Sequence, residues 1–369
     1  MTATFTFLGG LALLLLAGSV VVSSASAIGR HFGLTPMVVG LTIVAAGTSA
    51  PELAVVGQSV AAGDTELAVG SVIGSNIANV LLVLGLAAAC GAVKVANRVV
   101  RVDIPVMIGA SAALLWMAQD QQLSRFEGIA MLLALVIFVA WTLWASKGAE
   151  LDVLANASTD AADRSEGRST RVSIMLLALG VVGLAVAARF VVQGAEQIAA
   201  SLGIPELIIG LTIVAIGTSA PEITTTVIAA LNGQRELAVG NAVGSNIFNI
   251  LLVFGASTTF SSGGIAIGID AVQLDLPIML AAAFACLPMV VFDNKLDRWE
   301  GAVFVAYYLA YVVFLVLDAT GHRAKDPFVF VMVAFVGPLT IFTVATITVR
   351  QRRRAQASGT RNTGKAISR

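Results

Sequence analysis

Charge is what this chain has least of. Lys and Arg number 22 and Asp and Glu 22 in 369 residues, while 57% of the residues are hydrophobic. With a mean hydropathy of +0.91, there is too little polar surface to cover a water-soluble fold of this length, which points to a polytopic membrane protein. Cysteine and histidine are also scarce. Cys90 and Cys286 lie in apolar runs without metal-type spacing and read as small buried hydrophobes, not as a disulfide or a zinc pair. His31 and His322 stand far apart in short polar connections, and neither reads as a ligand. The absence of a GxxxxGK[ST] motif counts against an ATP-driven pump.

What is present is a series of apolar runs long enough to cross a bilayer, for which a helix needs about 20 residues. They fall near 5–27, 36–62, 67–89, 103–119 and 128–146, then near 172–198, 206–231, 237–259, 272–292 and 300–317. An eleventh run covers about 328–349. The chain therefore divides into a first five-span unit (1–146), a polar linker (147–171), a second five-span unit (172–319), an extra span (320–349) and a basic tail (350–369). Lys and Arg concentrate on the cytoplasmic side of membrane proteins. With the N-terminus outside, Arg30, Lys94, Arg98, Arg101, the linker cations, Arg235, Lys295, Arg298 and the tail all fall inside. Only Arg125, Arg323 and Lys325 fall outside, and Arg189 lies within the sixth span. The expected location is the plasma (inner) membrane, N-terminus outside and C-terminus cytoplasmic.

Residues 40–85 align without a gap to 210–255, with 27 of 46 positions identical. The likeness continues in "VDIPVM" (102–107) against "LDLPIM" (274–279), and in "SRFEG" (124–128) against "DRWEG" (297–301). Five spans is an odd number, so the second unit must sit upside down relative to the first. Inverted repeats of this kind build secondary transporters, with the site near the midplane where the copies meet.

Each copy carries "GTSAPE" roughly halfway along its second span. Proline removes a backbone N–H and pushes against the carbonyl four residues earlier, here Gly47 for Pro51 and Gly217 for Pro221. Such a break is tolerated only within protein or beside water. It would present carbonyls near 45–48 and 215–218, and the hydroxyls of Thr48, Ser49, Thr218 and Ser219. Glu52 and Glu222 add carboxylates just beyond. In the next span of each copy, Ser75 and Asn79, like Ser245 and Asn249, lie four apart on one helix face and would turn toward the acids. Gly70 and Gly74, like Gly240 and Gly244, form GxxxG patterns suited to close helix approach. An all-oxygen shell with two carboxylates suits a hard cation such as Ca²⁺ or Na⁺, not Zn²⁺ or copper. Glu66, Glu206 and Glu236 sit near span ends, where solvated or capping roles are expected.

At these residues the chain resembles the calcium/cation antiporter superfamily, in its prokaryotic sodium/calcium exchanger branch. Paired "GTSAPE" with paired "GSNI" carries the resemblance, which extends over the first ten spans. It implies an all-α fold of ten core helices in two inverted halves, here with an eleventh helix appended. It also implies a transporter rather than an enzyme, with Ca²⁺ and Na⁺ as cargo, no cofactor and no nucleic acid. The lipid bilayer is its surroundings, and one chain suffices to build the site. Carried over, Glu52 and Glu222 are shared Ca²⁺ and Na⁺ ligands, and Thr48 and Thr218 give backbone carbonyls. Ala45 and Ala215 give carbonyls for outer Na⁺ positions, Ser49, Ser219 and Ser75 give hydroxyls, and Asn79 and Asn249 line the middle position. Some members, including the potassium-dependent exchangers, have Asp at the place of Asn249, so this chain's amide argues against potassium dependence. A Ca²⁺/H⁺ antiporter, or one for another divalent cation, using the same carboxylates is the alternative.

Overall fold

The architecture was taken from a computed structural model, which describes residues 2–146, 169–209, 212–213, 215–286, 295–333 and 337. The linker up to residue 168 and the basic tail lie outside the described residues, as does the eleventh span beyond a short helix, Lys325–Val331. Eight described helices are long and apolar enough to cross a membrane: α1 (Thr2–His31), α2 (Pro36–Ala62), α3 (Thr65–Cys90), α4 (Val99–Asp120), α5 (Arg125–Ser146), α6 (Thr170–Ser201), α8 (Arg235–Phe260) and α10 (Arg298–Ala319). Two shorter apolar helices complete the set, α7 (Ala220–Leu231) and α9 (Ala271–Phe284). α7 is preceded by the short helices Glu206–Ile209 and Ala215–Thr218.

Burial sorts these helices into an inner and an outer group. α8 is almost wholly buried and α3 largely so, whereas α6 and α10 are mostly open on their outer faces. α1 and α6 lie against each other, with Gly10 at the backbone of Val191 and Gly194 at the backbone of Phe7. The exposed side chains of the outer group are apolar, among them Leu16, Val136, Ile137, Trp144 and Leu179. A soluble fold would bury such surface; these faces suit hydrocarbon.

The connections record the inversion. After α3, the strand β1 (Val93–Lys94) pairs antiparallel with β4 (Lys295–Leu296), which leads into α10. Before α5, β2 (Gln122–Leu123) pairs with β3 (Ile265–Ala266), which follows α8. α4 crosses between β1 and β2, so the two pairs lie at opposite ends of the bundle. α3 and its sequence counterpart α8 therefore finish at opposite ends. Local chemistry repeats as well. Glu127 closes a box on Ser124 at the start of α5 (2.7 Å from the Ser124 N–H), and Glu300 does the same on Asp297 at the start of α10 (2.7 Å). Gly63 and Gly233 take the left-handed backbone (φ 83° and 77°) that the turns after the second span of each copy require.

Both copies carry π-helical turns at matching places. Asn79–Leu84 answers Asn249–Phe254, and Val99–Asp103 answers Ala271–Asp275. A π-turn inserts one extra residue and is frequent at functional sites. The second spans differ, however. In α2 the backbone stays helical straight through Pro51, after a π-turn at Gly40–Val44. In the second copy the helix is interrupted at Ser219 (φ −88°, ψ 6°), two residues before Pro221. The expected pair of equivalent breaks is thus one relieved helix and one true interruption. π-helical backbone also occurs at Thr212 and Ile213 of the second copy, so it does not by itself explain why only α2 runs on.

A candidate cation site at the centre of the fold

The two central carboxylates meet in the interior. Glu52 is 3% exposed and Glu222 fully buried, and they lie close enough to repel each other. Ser75 and Asn249 flank Glu52, and Thr48 flanks Glu222, near but short of hydrogen-bond geometry. Asn249 thus reaches from the second copy to the acid of the first. All four carboxylate oxygens lack a hydrogen-bond partner among the described residues, as do the hydroxyls of Ser49, Ser75 and Ser219 and both amide atoms of Asn79 and Asn249. Each of these side chains is essentially inaccessible. Buried polar groups are normally satisfied, and an orphaned buried charge is costly. So many orphaned oxygens around two facing acids form a cage that wants a cation.

The remaining expected residues are placed as follows. Thr48 is buried, and its hydroxyl donates weakly to the Ala45 carbonyl (3.4 Å) and lies 3.3 Å from the Ser245 hydroxyl. Ala45 is fully buried at the end of the α2 π-turn. Thr218 is half-buried and lines a cavity. Ala215 starts the short helix before the interruption. Among the described residues no group of three or more His, Cys, Asp or Glu could hold a metal, so the cage relies on hydroxyl, amide and carbonyl oxygen around its two acids.

Sequence reasoning missed a polar knot on one side of the acids. The Asn241 amide donates to the hydroxyls of Thr225 (3.1 Å) and Thr226 (2.8 Å), and Thr48 donates to its carbonyl oxygen (3.5 Å). The first copy has Ser71, Val55 and Val56 at the places of Asn241, Thr225 and Thr226. The signal was present as a departure from the repeat, with two threonines where the first copy has valines and an amide where it has a hydroxyl.

The glycine seams differ too. A methyl on Gly240 would lie 2.5 Å from the Met37 carbonyl, and one on Gly244 2.8 Å from the Leu41 carbonyl, so α2 and α8 touch backbone to backbone. Around Gly70 and Gly74 of α3 no atom of a described residue lies within 4 Å of such a methyl. There a cavity of about 300 Å³ runs from Glu66 past Gly70 and Gly74 to Ser75 and Thr218. The expected close approach is seen at the α8 pattern; at the α3 pattern the matching residues 210 and 211 of the second copy lie outside the described residues. A cavity thus abuts the centre on the α3 side, whereas around Gly240 and Gly244 α8 is packed directly against α2.

Inverted helical halves around an oxygen-rich centre, with a cavity abutting it on one side, define a secondary transporter for cations. Comparison with known proteins gives the family. The sodium/calcium exchanger protein family matches residues 2–144 and 172–317, and the chain belongs to it. Among relatives, the putative antiporter CaxA of Alkalimonas amylolytica is 37% identical over 314 residues, covering 84% of this chain and 98% of its own. The sodium/calcium exchanger MaX1 of Methanosarcina acetivorans is 31% identical over 342 residues, covering 83% and 96%. The solved structure of the sodium-calcium exchanger NCX_Mj, soaked with Na⁺ and Ca²⁺, superposes with a TM-score of 0.70 at 27% identity, covering 85% of this chain and 98% of that one.

Proposed function

We propose that this chain exchanges Na⁺ for Ca²⁺ across the plasma membrane by alternating access, with both ions using Glu52 and Glu222 in turn. The observation that carries this reading is the pair of facing, buried carboxylates whose oxygens have no partner. Ionised, they hold two negative charges. One Ca²⁺ neutralises them, and so do two Na⁺, so the ions exclude one another. An empty site leaves like charges buried together, which costs several kcal/mol. The loaded carrier can therefore turn over to face the other side, while the empty one is held back. That difference makes an exchanger out of a binding site.

Ser49, Ser75, Ser219, Ser245, Asn79 and Asn249, with the Thr48, Thr218, Ala45 and Ala215 carbonyls, serve in this reading as neutral ligands. They replace the hydration shell without adding charge. The N-out, C-in orientation follows the placement of Lys and Arg, and places the cavity beside Gly70 on the outer face.

The test is ⁴⁵Ca²⁺ uptake into Na⁺-loaded proteoliposomes at clamped pH. Uptake driven by an outward Na⁺ gradient and lost in both Glu52→Gln and Glu222→Gln is the expected result. Uptake indifferent to Na⁺ but driven by a proton gradient would move the same carboxylates to proton-coupled antiport.

A further inference from the structure

The cavity on the α3 side holds a carboxylate that the central cage does not use. Asp275, on the α9 π-turn, lines it together with Glu66, Tyr308, Tyr311, Ser75 and Thr218. Ser75 also flanks Glu52, so the cavity that Asp275 lines abuts the central cage. The Ser75 hydroxyl is 1% exposed, faces this cavity and has no partner among the described residues. Tyr308, nearly buried, lines the same cavity. A partly buried carboxylate, two phenols and an unpartnered hydroxyl around one cavity make a place for a hydrated cation.

The repeat supplies a second observation. The counterpart of Asp275 is Asp103, on the matching π-turn of α4, fully buried and with neither oxygen partnered among the described residues. At this position the fold therefore retains an acid without giving it a hydrogen-bonding job. The surroundings of the two acids then diverge. Five residues before Asp103 stands Arg98, whose guanidinium lies over Trp141 (5.1 Å) and donates to the Thr142 carbonyl (3.3 Å). Five residues before Asp275 stands Asp270. The first acid has a cation close by in sequence, and the second has another anion. Nearby on the same side, Asp318 is already held by Lys325 in an ion pair, and of the two acids that line the cavity, Glu66 sits at the start of α3 while Asp275 lies on the α9 π-turn.

We infer that Asp275 forms a staging site for a hydrated divalent cation, outside the central cage and on the α3 face only. This rests on the exchange reading for the purpose of the site, but not for its existence. A carboxylate at the neck of a cleft raises the local cation concentration and the capture rate. Because the ion keeps most of its water, binding there is weak and release to Glu52 and Glu222 is fast.

The experiment is equilibrium ⁴⁵Ca²⁺ binding to the purified full chain, paired with uptake kinetics. The Glu52→Gln/Glu222→Gln double variant is expected to keep a weak class of Ca²⁺ binding, and adding Asp275→Asn should remove it. Asp275→Asn alone should keep the tight class and raise the KM for Ca²⁺ from the α3 face by about tenfold, with Vmax preserved. The KM from the opposite face should not change. Asp275→Glu should restore both readings, which separates lost charge from misfolding. No weak class in the double variant, or a weak class and KM indifferent to Asp275→Asn, would overturn the inference. Failure of Na⁺-driven uptake in the native chain, with the weak class still abolished by Asp275→Asn, would instead sink the exchange reading and leave the staging site standing.

Discussion

In the proposed exchange Glu52 and Glu222 would divide the work of holding charge, and Asn249 would set how much charge there is. At an effective dielectric near 20, opposite unit charges about 4 Å apart attract by roughly 4 kcal/mol. Replacing either glutamate with Gln should thus weaken Ca²⁺ binding by ~100-fold or more, read by ⁴⁵Ca²⁺ binding, with thermal stability held or raised because one buried repulsion disappears. Asn249→Asp makes the opposite change. It brings a third carboxylate beside Glu52, so one Ca²⁺ leaves the ionised cage at −1. Ca²⁺ uptake by that variant is expected to need a further monovalent cation, seen as a K⁺ titration that restores transport. Uptake by Asn249→Asp without any added monovalent ion would refute this charge arithmetic.

At the scale of helices, the two glycine seams predict opposite failures. On Gly240 a methyl would meet the backbone of Met37 and Leu41 (2.5 and 3.0 Å), and backbone cannot move aside as a flexible side chain can. Gly240→Ala should destabilise the fold by about 1–3 kcal/mol, the usual range for overpacking, seen as a lower Tm in detergent. Gly70→Val adds its bulk to an open cavity. It should leave Tm unchanged and still stop exchange, because turning the site to the other face requires the α3 seam to close as the α8 seam does here. Normal exchange by Gly70→Val would mean that this seam never closes. Asn241 ties α8 to α7 on the packed side. Asn241→Ala takes the partner from the buried Thr226 hydroxyl, while Thr225 keeps its bond to the Pro221 carbonyl (2.8 Å), at about 1–3 kcal/mol. It should make the packed side reachable, measured as faster labelling of a cysteine placed at Ala242.

For the molecule as a whole, much was legible from residues alone and some was not. The odd number of spans per copy implied inversion, and the crossed strand pairs β1·β4 and β2·β3 display it. "GTSAPE" and "GSNI" named the side chains that gather at the centre, because a polar residue in a span can only face protein or water. The π-turns stayed hidden, since a one-residue slip leaves no mark on a uniformly apolar pattern. For the same reason Pro51 read as a break where α2 runs on. The tight packing of Gly240 on α2 was also invisible, because Gly70 and Gly240 are the same residue in the same motif. Identical copies can occupy unlike states only through their three-dimensional arrangement. Asn241 and Asp275 were overlooked because the comparison of copies looked for identity, whereas these residues matter through what differs around them.

Mutual exclusion of Ca²⁺ and Na⁺ from one cage follows from the proposed mechanism. It is tested most directly by equilibrium ⁴⁵Ca²⁺ binding to the purified chain across a Na⁺ titration at constant ionic strength. The account predicts complete displacement of tightly bound Ca²⁺ by Na⁺, with an apparent Kd for Ca²⁺ that rises steadily with Na⁺, and no tight class in Glu52→Gln or Glu222→Gln. Tight Ca²⁺ binding that ignores Na⁺, or that persists in both variants, would contradict it.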